Sequence, residues 1–210
     1  MNKYGIIMDH LNLPPVPDQL AKIVLETEVD LTKAQNPLPV RVLTEGGRPY
    51  RSRRTPRIGL ESQLGAWVTE NITDKWDHVG MAKSTPVDPM PGGHPQDNKR
   101  NGPHTDCTRN FLLLYLLDRS NPDQDTVFWQ EKGKPIYREH SVYVNEDPTP
   151  TEELIELERV TFPLNTWCYV DSRVVHSVEN ILGRRTALHI GFWEDPFDVF
   201  PKNPFEDQAQ

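Results

Sequence analysis

The spacing of apolar positions changes partway along the chain. In the first third they recur every three or four residues. After about residue 110 they come in short blocks separated by turn residues. The first helical stretch begins at Pro17-Asp18, where Asp18 suits a cap. Leu20, Ile23 and Val24 fall on one face, and the pattern ends near Glu28. The second covers 60–72, with Leu60, Leu64, Trp67 and Val68 in one stripe and Asn71 and Thr73 suited to its end. Such stripes are core packing, so both helices are expected to back a sheet.

Residues 110–117 form a nearly continuous apolar run, the pattern of a central strand covered on both faces. Further strands are expected at 126–129, 141–144, 158–162, 167–171 and 186–192. Turns such as Asn121-Pro122-Asp123 recur between them. Many short strands at close intervals predict a mainly β fold with N-terminal helices, a sandwich or jelly roll. One domain over residues 1–210 is expected. A helical and loop part over 1–85 packs on the β core, and 194–210 form a trailing arm. The stretch 86–103 is a long Pro/Gly/Asp/Asn loop that delivers the chain to His104. The acidic stretch with Glu146, Asp147, Glu152 and Glu153 reads as an exposed insertion.

Composition sharpens this picture in three places. Proline outnumbers glycine, 20 to 12, which argues against a helical bundle. The net charge of −8 makes general nucleic-acid binding a poor fit. Two cysteines, Cys107 and Cys168, in no CxxC pattern fit a reducing cytoplasm, and no run reaches the ~18 apolar residues of a membrane span. Against the acidic background stand Arg48, Arg51, Arg53, Arg54 and Arg57. They read as a solvated loop, with guidance of an acidic substrate as the alternative.

The chemistry gathers in two segments. Pro103-His104-Thr105-Asp106 offers an imidazole and a carboxylate two positions apart, which on a strand point the same way. His176 lies far along the chain, after enough residues for several strands to wrap round. Two histidines and one carboxylate on one face of an octahedral ion make the facial triad of non-haem iron(II) sites, with three positions open. Arg185 follows His176 across a turn at 180–183, which would fold the next strand back beside the His176 strand. A guanidinium there suits bidentate capture of a carboxylate. Arg184 competes with Arg185 for the inward position, and spacing favours Arg185.

The phrases Pro103-His104-Thr105-Asp106, Asp171-Ser172-Arg173-Val174-Val175-His176-Ser177-Val178-Glu179-Asn180 and Arg185-Thr186-Ala187-Leu188 resemble the iron(II)- and 2-oxoglutarate-dependent oxygenases. The branch they look most like is that of the aspartyl/asparaginyl and proline hydroxylases. The resemblance covers about residues 100–193. It implies a double-stranded β-helix (jelly roll, cupin-like) and iron(II) on His104, Asp106 and His176. It also implies 2-oxoglutarate held by Arg185, and dioxygen as oxidant. The implied reaction hydroxylates an unactivated C–H bond of an amino acid or peptidyl residue. Asp106 argues against the halogenating variants, which lack that carboxylate.

Other residues carry two readings each. Tyr115 and Trp129 lie on strands that could line the co-substrate pocket or belong to the core. Arg109 and Asn110 could hold substrate, brace Asp106 or make an ordinary salt bridge. Asn180 suits the turn after His176. His10, His78 and His140 stand alone and are not read as ligands. His94 sits in the loop before the triad, and His189 shares the alternation of Arg185 and Ala187 as a pocket wall or core residue. The alternatives to an oxygenase are a cupin-type metalloenzyme that does not use 2-oxoglutarate and a non-catalytic jelly-roll binding module.

Overall fold

A computed structural model of the chain describes residues 2–27, 57–58, 62–84, 101–106, 109–137, 153–181 and 184–198. Along the chain these form β1 (Gly5–Ile7), α1 (Asp18–Glu26), β2 (Arg57–Ile58), α2 (Gln63–Asn71), β3 (His78–Ser84) and β4 (Asn101–His104). β5 (Phe111–Arg119), β6 (Thr126–Glu131), β7 (Leu154–Val160), β8 (Trp167–Asp171), β9 (Val175–Val178) and β10 (Arg185–Phe192) follow. A six-stranded sheet has the order β1-β8-β5-β10-β3-β2, and a four-stranded sheet has the order β4-β9-β6-β7. Every named pair is antiparallel. The described fold is therefore mainly β, with two helices and two antiparallel sheets.

The alternation of β5 shows why its sequence is apolar on every position. Phe111, Leu113 and Tyr115 point to one face of the larger sheet. There they pack with Leu188 and Ile190 of β10 under Leu20 and Val24 of α1 and Leu64 and Val68 of α2. Leu112, Leu114 and Leu116 point to the other face. They meet Ala187, Cys168 and Val170 and, from the facing sheet, Phe128 and Val160. Both faces are covered, so a run without polar relief is what burial selects. Each fully buried leucine contributes about 1.5–3 kcal/mol. A third cluster, Val127, Trp129, Leu154 and Val175, lies on the opposite face of the smaller sheet.

The helices back the larger sheet as the periodicity predicts. Leu20 and Val24 are buried, but Ile23 is turned to solvent. Ser62 caps α2 by accepting the Gly65 N–H at 2.9 Å. Leu60 and the strand expected at 141–144 lie outside the described residues. The division at residue 85 does not hold as drawn, because β1, β2 and β3 are strands of the sheet itself. They escape a hydrophobic reading because β1 and β2 are short and β3 (His-Val-Gly-Met-Ala-Lys-Ser) carries few large apolar residues. The carboxylate of Glu158 on β7 accepts backbone N–H groups of Lys3, Tyr4 and Gly5, and so ties β1 down. At the other end Phe197 folds onto Tyr169, ring centroids 4.7 Å apart.

β10 departs from expectation in a way that matters for the site. It does not return beside β9. It crosses to the larger sheet and lies between β5 and β3, while β9 lies between β4 and β6. No helix among the described residues is long and apolar enough to cross a membrane.

Candidate metal centre

His104 is the last residue of β4 and faces His176 as its direct cross-strand partner. Their rings are 4.4 Å apart between centroids. Asp106 lies beyond the strand end, so strand alternation does not place it. Two other contacts do. Its backbone N–H donates to the Ser172 carbonyl at 3.2 Å, and its Oδ2 accepts from Arg109 Nε at 2.7 Å. One ligand atom from each of His104, Asp106 and His176 lies within 4.8 Å of the other two. An ion bonded at ~2.0–2.2 Å holds adjacent ligands at about 3 Å. His104 Nε2 and Asp106 Oδ1 are 4.0 Å apart.

The protonation states suit a cation. The Val174 carbonyl can only accept, so His176 Nδ1, 2.9 Å away, carries the proton and Nε2 keeps its lone pair. Burial, then the nearby His104, push the His176 imidazolium down to about 4. Burial pushes the Asp106 carboxyl up, but Arg109 and the two imidazoles outweigh it and hold it well below the usual carboxylate range. At neutral pH His176 therefore offers a neutral imidazole and Asp106 a carboxylate. The buried thiol of Cys168 is pushed up to about 12 by burial and stays protonated, so it adds no thiolate. This donor set fits iron(II) and leaves positions open.

Arg185 opens β10 on the face that carries Ala187 into the space between the sheets. It is 7% exposed, and among the described residues its guanidinium makes no hydrogen bond or ion pair. Burial, with Arg119 adding to it, pulls it down to about 10. Arg184 points outward and donates to Asp118. The inward arginine is therefore Arg185, reaching the intersheet space from the sheet opposite His176 and not from a neighbouring strand.

Two expected pocket residues are elsewhere. Tyr115 packs against Trp167, ring centroids 4.9 Å apart, in the cluster beneath the helices. The larger sheet separates it from the intersheet space. Trp129 donates to Ser177 Oγ at 2.8 Å on the outward face of the smaller sheet. Strand parity decides both: on β5 the even positions face inward, and on β6 Phe128 does. Asn180 adopts a left-handed conformation (φ 58°) and bonds to Asn121 and Asp123, which fixes the turn as its sequence suggests. Arg173 is held by Asp171 at 2.8 Å and lies 4.4 Å over the Phe111 ring, which accounts for its charge. His189 is buried on the inward face. Cys107, His94, His140, Arg48, Arg51, Arg53, Arg54 and the Arg57 side chain lie outside the described residues.

One neighbour of the site is not visible in any sequence motif. His78, on β3, lies 2.7 Å from Arg109 Nη1 through its Nε2. Guanidinium only donates, so Nε2 is the acceptor. His78 and His189 meet edge to face at 5.5 Å, each over a glycine of the paired strand, Gly191 and Gly80. Compared with known proteins, the chain matches no family model and no curated relative.

Proposed function

We propose that this chain is an iron(II)- and 2-oxoglutarate-dependent dioxygenase that hydroxylates an unactivated C–H bond, with an amino acid or peptidyl residue as substrate. The observation that carries the reading is the conjunction of a three-ligand group with a buried guanidinium that has no partner among the described residues, on the inward face of the opposing sheet. A buried charge without a partner costs several kcal/mol, so a site that keeps one is built for an anion that arrives later.

The strand order supports the double-stranded β-helix. β6 pairs with β7, β5 with β8, β4 with β9 and β3 with β10, the nested pairing left when one long hairpin is rolled into two sheets. In such a roll the ligands of β4 and β9 and the arginine of β10 come from opposite walls of one interior.

Bound iron(II), with 2-oxoglutarate and dioxygen, supplies the oxidising power that no side chain has. The protein supplies position. His104, Asp106 and His176 would hold the ion. Val174 fixes the His176 tautomer, so its lone pair is aimed before metal arrives. Arg185 takes the distal carboxylate of 2-oxoglutarate through its two-pronged donor set. Leu112, Leu114 and Val170 line the intersheet space and keep water from the reacting carbon.

Anaerobic addition of iron(II) and 2-oxoglutarate to the purified protein tests this. A weak visible charge-transfer band is expected, and His176→Ala abolishes it. Its absence from the intact protein, or its survival in the variant, overturns the proposal. A band whose 2-oxoglutarate dependence is unchanged by Arg185→Ala returns the reading to a metalloenzyme with another co-substrate.

A further inference from the structure

We infer that His78 is a positioning residue for the metal carboxylate, acting through Arg109 to leave Asp106 a single oxygen for the ion. The inference rests on the metal reading above and adds two residues to it. The geometry is a relay. Arg109 Nε donates to Asp106 Oδ2 at 2.7 Å, while Arg109 Nη1 donates to His78 Nε2 at the same distance. A carboxylate can bind an ion through one oxygen or two. With Oδ2 occupied by a charge-assisted hydrogen bond, Oδ1, the oxygen 4.0 Å from His104 Nε2, is the one presented to the metal. One oxygen in place of two keeps a coordination position open. That position matters where a bidentate co-substrate and dioxygen must both enter.

Arg109 alone would not hold this arrangement, because a guanidinium pivots about one hydrogen bond. His78 fixes the second arm. The fold makes room for it at a definite cost: a Cβ at Gly191, its cross-strand partner, would lie 1.9 Å from the His78 ring. His78 is 6% exposed and comes from β3, on the sheet opposite the two histidine ligands. The relay therefore links the carboxylate ligand to the wall opposite the imidazoles.

Cobalt(II) serves as probe, with affinity read by titration and coordination read from the visible d–d bands, neither of which requires turnover. His78→Leu and Arg109→Gln are each expected to weaken cobalt(II) binding by about 10–100-fold and to change band intensity. His78→Gln, which keeps an acceptor, restores part of the loss. The double variant His78→Leu/Arg109→Gln should bind no more weakly than Arg109→Gln alone, since His78 acts only through Arg109. Gly191→Ala, which displaces the ring and leaves both polar residues in place, should resemble His78→Leu. Wild-type affinity and spectrum in His78→Leu overturn the inference, as do additive losses in the double variant. If His78→Leu does not fold, Gly191→Ala and His78→Gln decide it by the same criteria. A wild-type protein that takes up no cobalt(II) overturns the metal reading itself.

Discussion

His104 and His176 stand opposite each other on the β4–β9 ladder, ring centroids 4.4 Å apart, although they belong to distant parts of the sequence. The β4–β9 register places them side by side. The cost of bringing two imidazoles together is met during folding, so on the proposed function an ion would find them already paired.

Burial of His176, with His104 beside it, makes the metal-free protein sensitive to mild acid. The unfolded chain takes up a proton at His176 near pH 6.5, the folded chain only near 4. Between those values the unfolded state binds more protons, so stability falls as pH drops, by up to ~1.4 kcal/mol per pH unit for this group. Asp106 acts in the same sense below its unfolded value of 3.8, because its folded pKa is lower still. Urea unfolding of metal-free protein between pH 4.5 and 7 should show the slope, and His176→Gln should flatten it.

Arg185 presents a trade between stability and binding. Arg185→Met removes a buried charge that has no partner among the described residues, and the unliganded protein should gain about 1–4 kcal/mol. If 2-oxoglutarate binds as proposed, the same variant should lose the thermal stabilisation expected from it in the metal-loaded protein. Melting curves with and without 2-oxoglutarate measure both effects; an unliganded variant less stable than wild type contradicts the account.

Tyr115 and Trp129 face away from the space between the sheets. Tyr115→Phe and Trp129→Phe should therefore leave 2-oxoglutarate affinity within twofold of wild type. Trp129→Phe should still cost about 1 kcal/mol of stability, through the lost bond to Ser177. A tenfold fall in affinity in either variant would put that ring back in the pocket.

Glycines differ by what surrounds them. Gly80→Ala would place a Cβ 2.4 Å from His189 Nε2, and overpacking of that kind costs about 1–3 kcal/mol. Gly133 has open space but a φ of +74°, so Gly133→Ala should cost ~1–2 kcal/mol through backbone strain alone. Only the first should alter the environment of His189, which imidazole NMR resonances report.

The parts of this fold legible in the sequence are those where burial leaves a dense signature. β5, β6, β8 and β10 are rich in large apolar residues and lie close to their expected positions. β1 and β3 carry glycine, alanine and histidine where the interior needs little volume, and periodicity cannot see them. That His104, Asp106 and His176 come together was legible because HxD with a distal histidine is a chemical pattern. Spacing favoured Arg185 over Arg184, and the strand that carries it lies in the opposite sheet and not beside β9. Tyr115 and Trp129 were misassigned because parity needs an anchor, and nothing in sequence says which face of β5 or β6 looks inward. His78 had no signal at all: its tie to Arg109 exists only through the fold.

The nested strand pairing sets an order of assembly. The β6–β7 ladder closes the shortest loop, and β5–β8, β4–β9 and β3–β10 close successively longer ones. Folding dominated by such distant pairings is slow. The ligand set is incomplete until the third ladder has formed, and Arg185 and His78 join only with the fourth. On the proposed function, a metal ion would therefore arrive too late to nucleate this protein. It should leave the refolding rate nearly unchanged and act as a latch, slowing the escape of a chain that has already rolled shut.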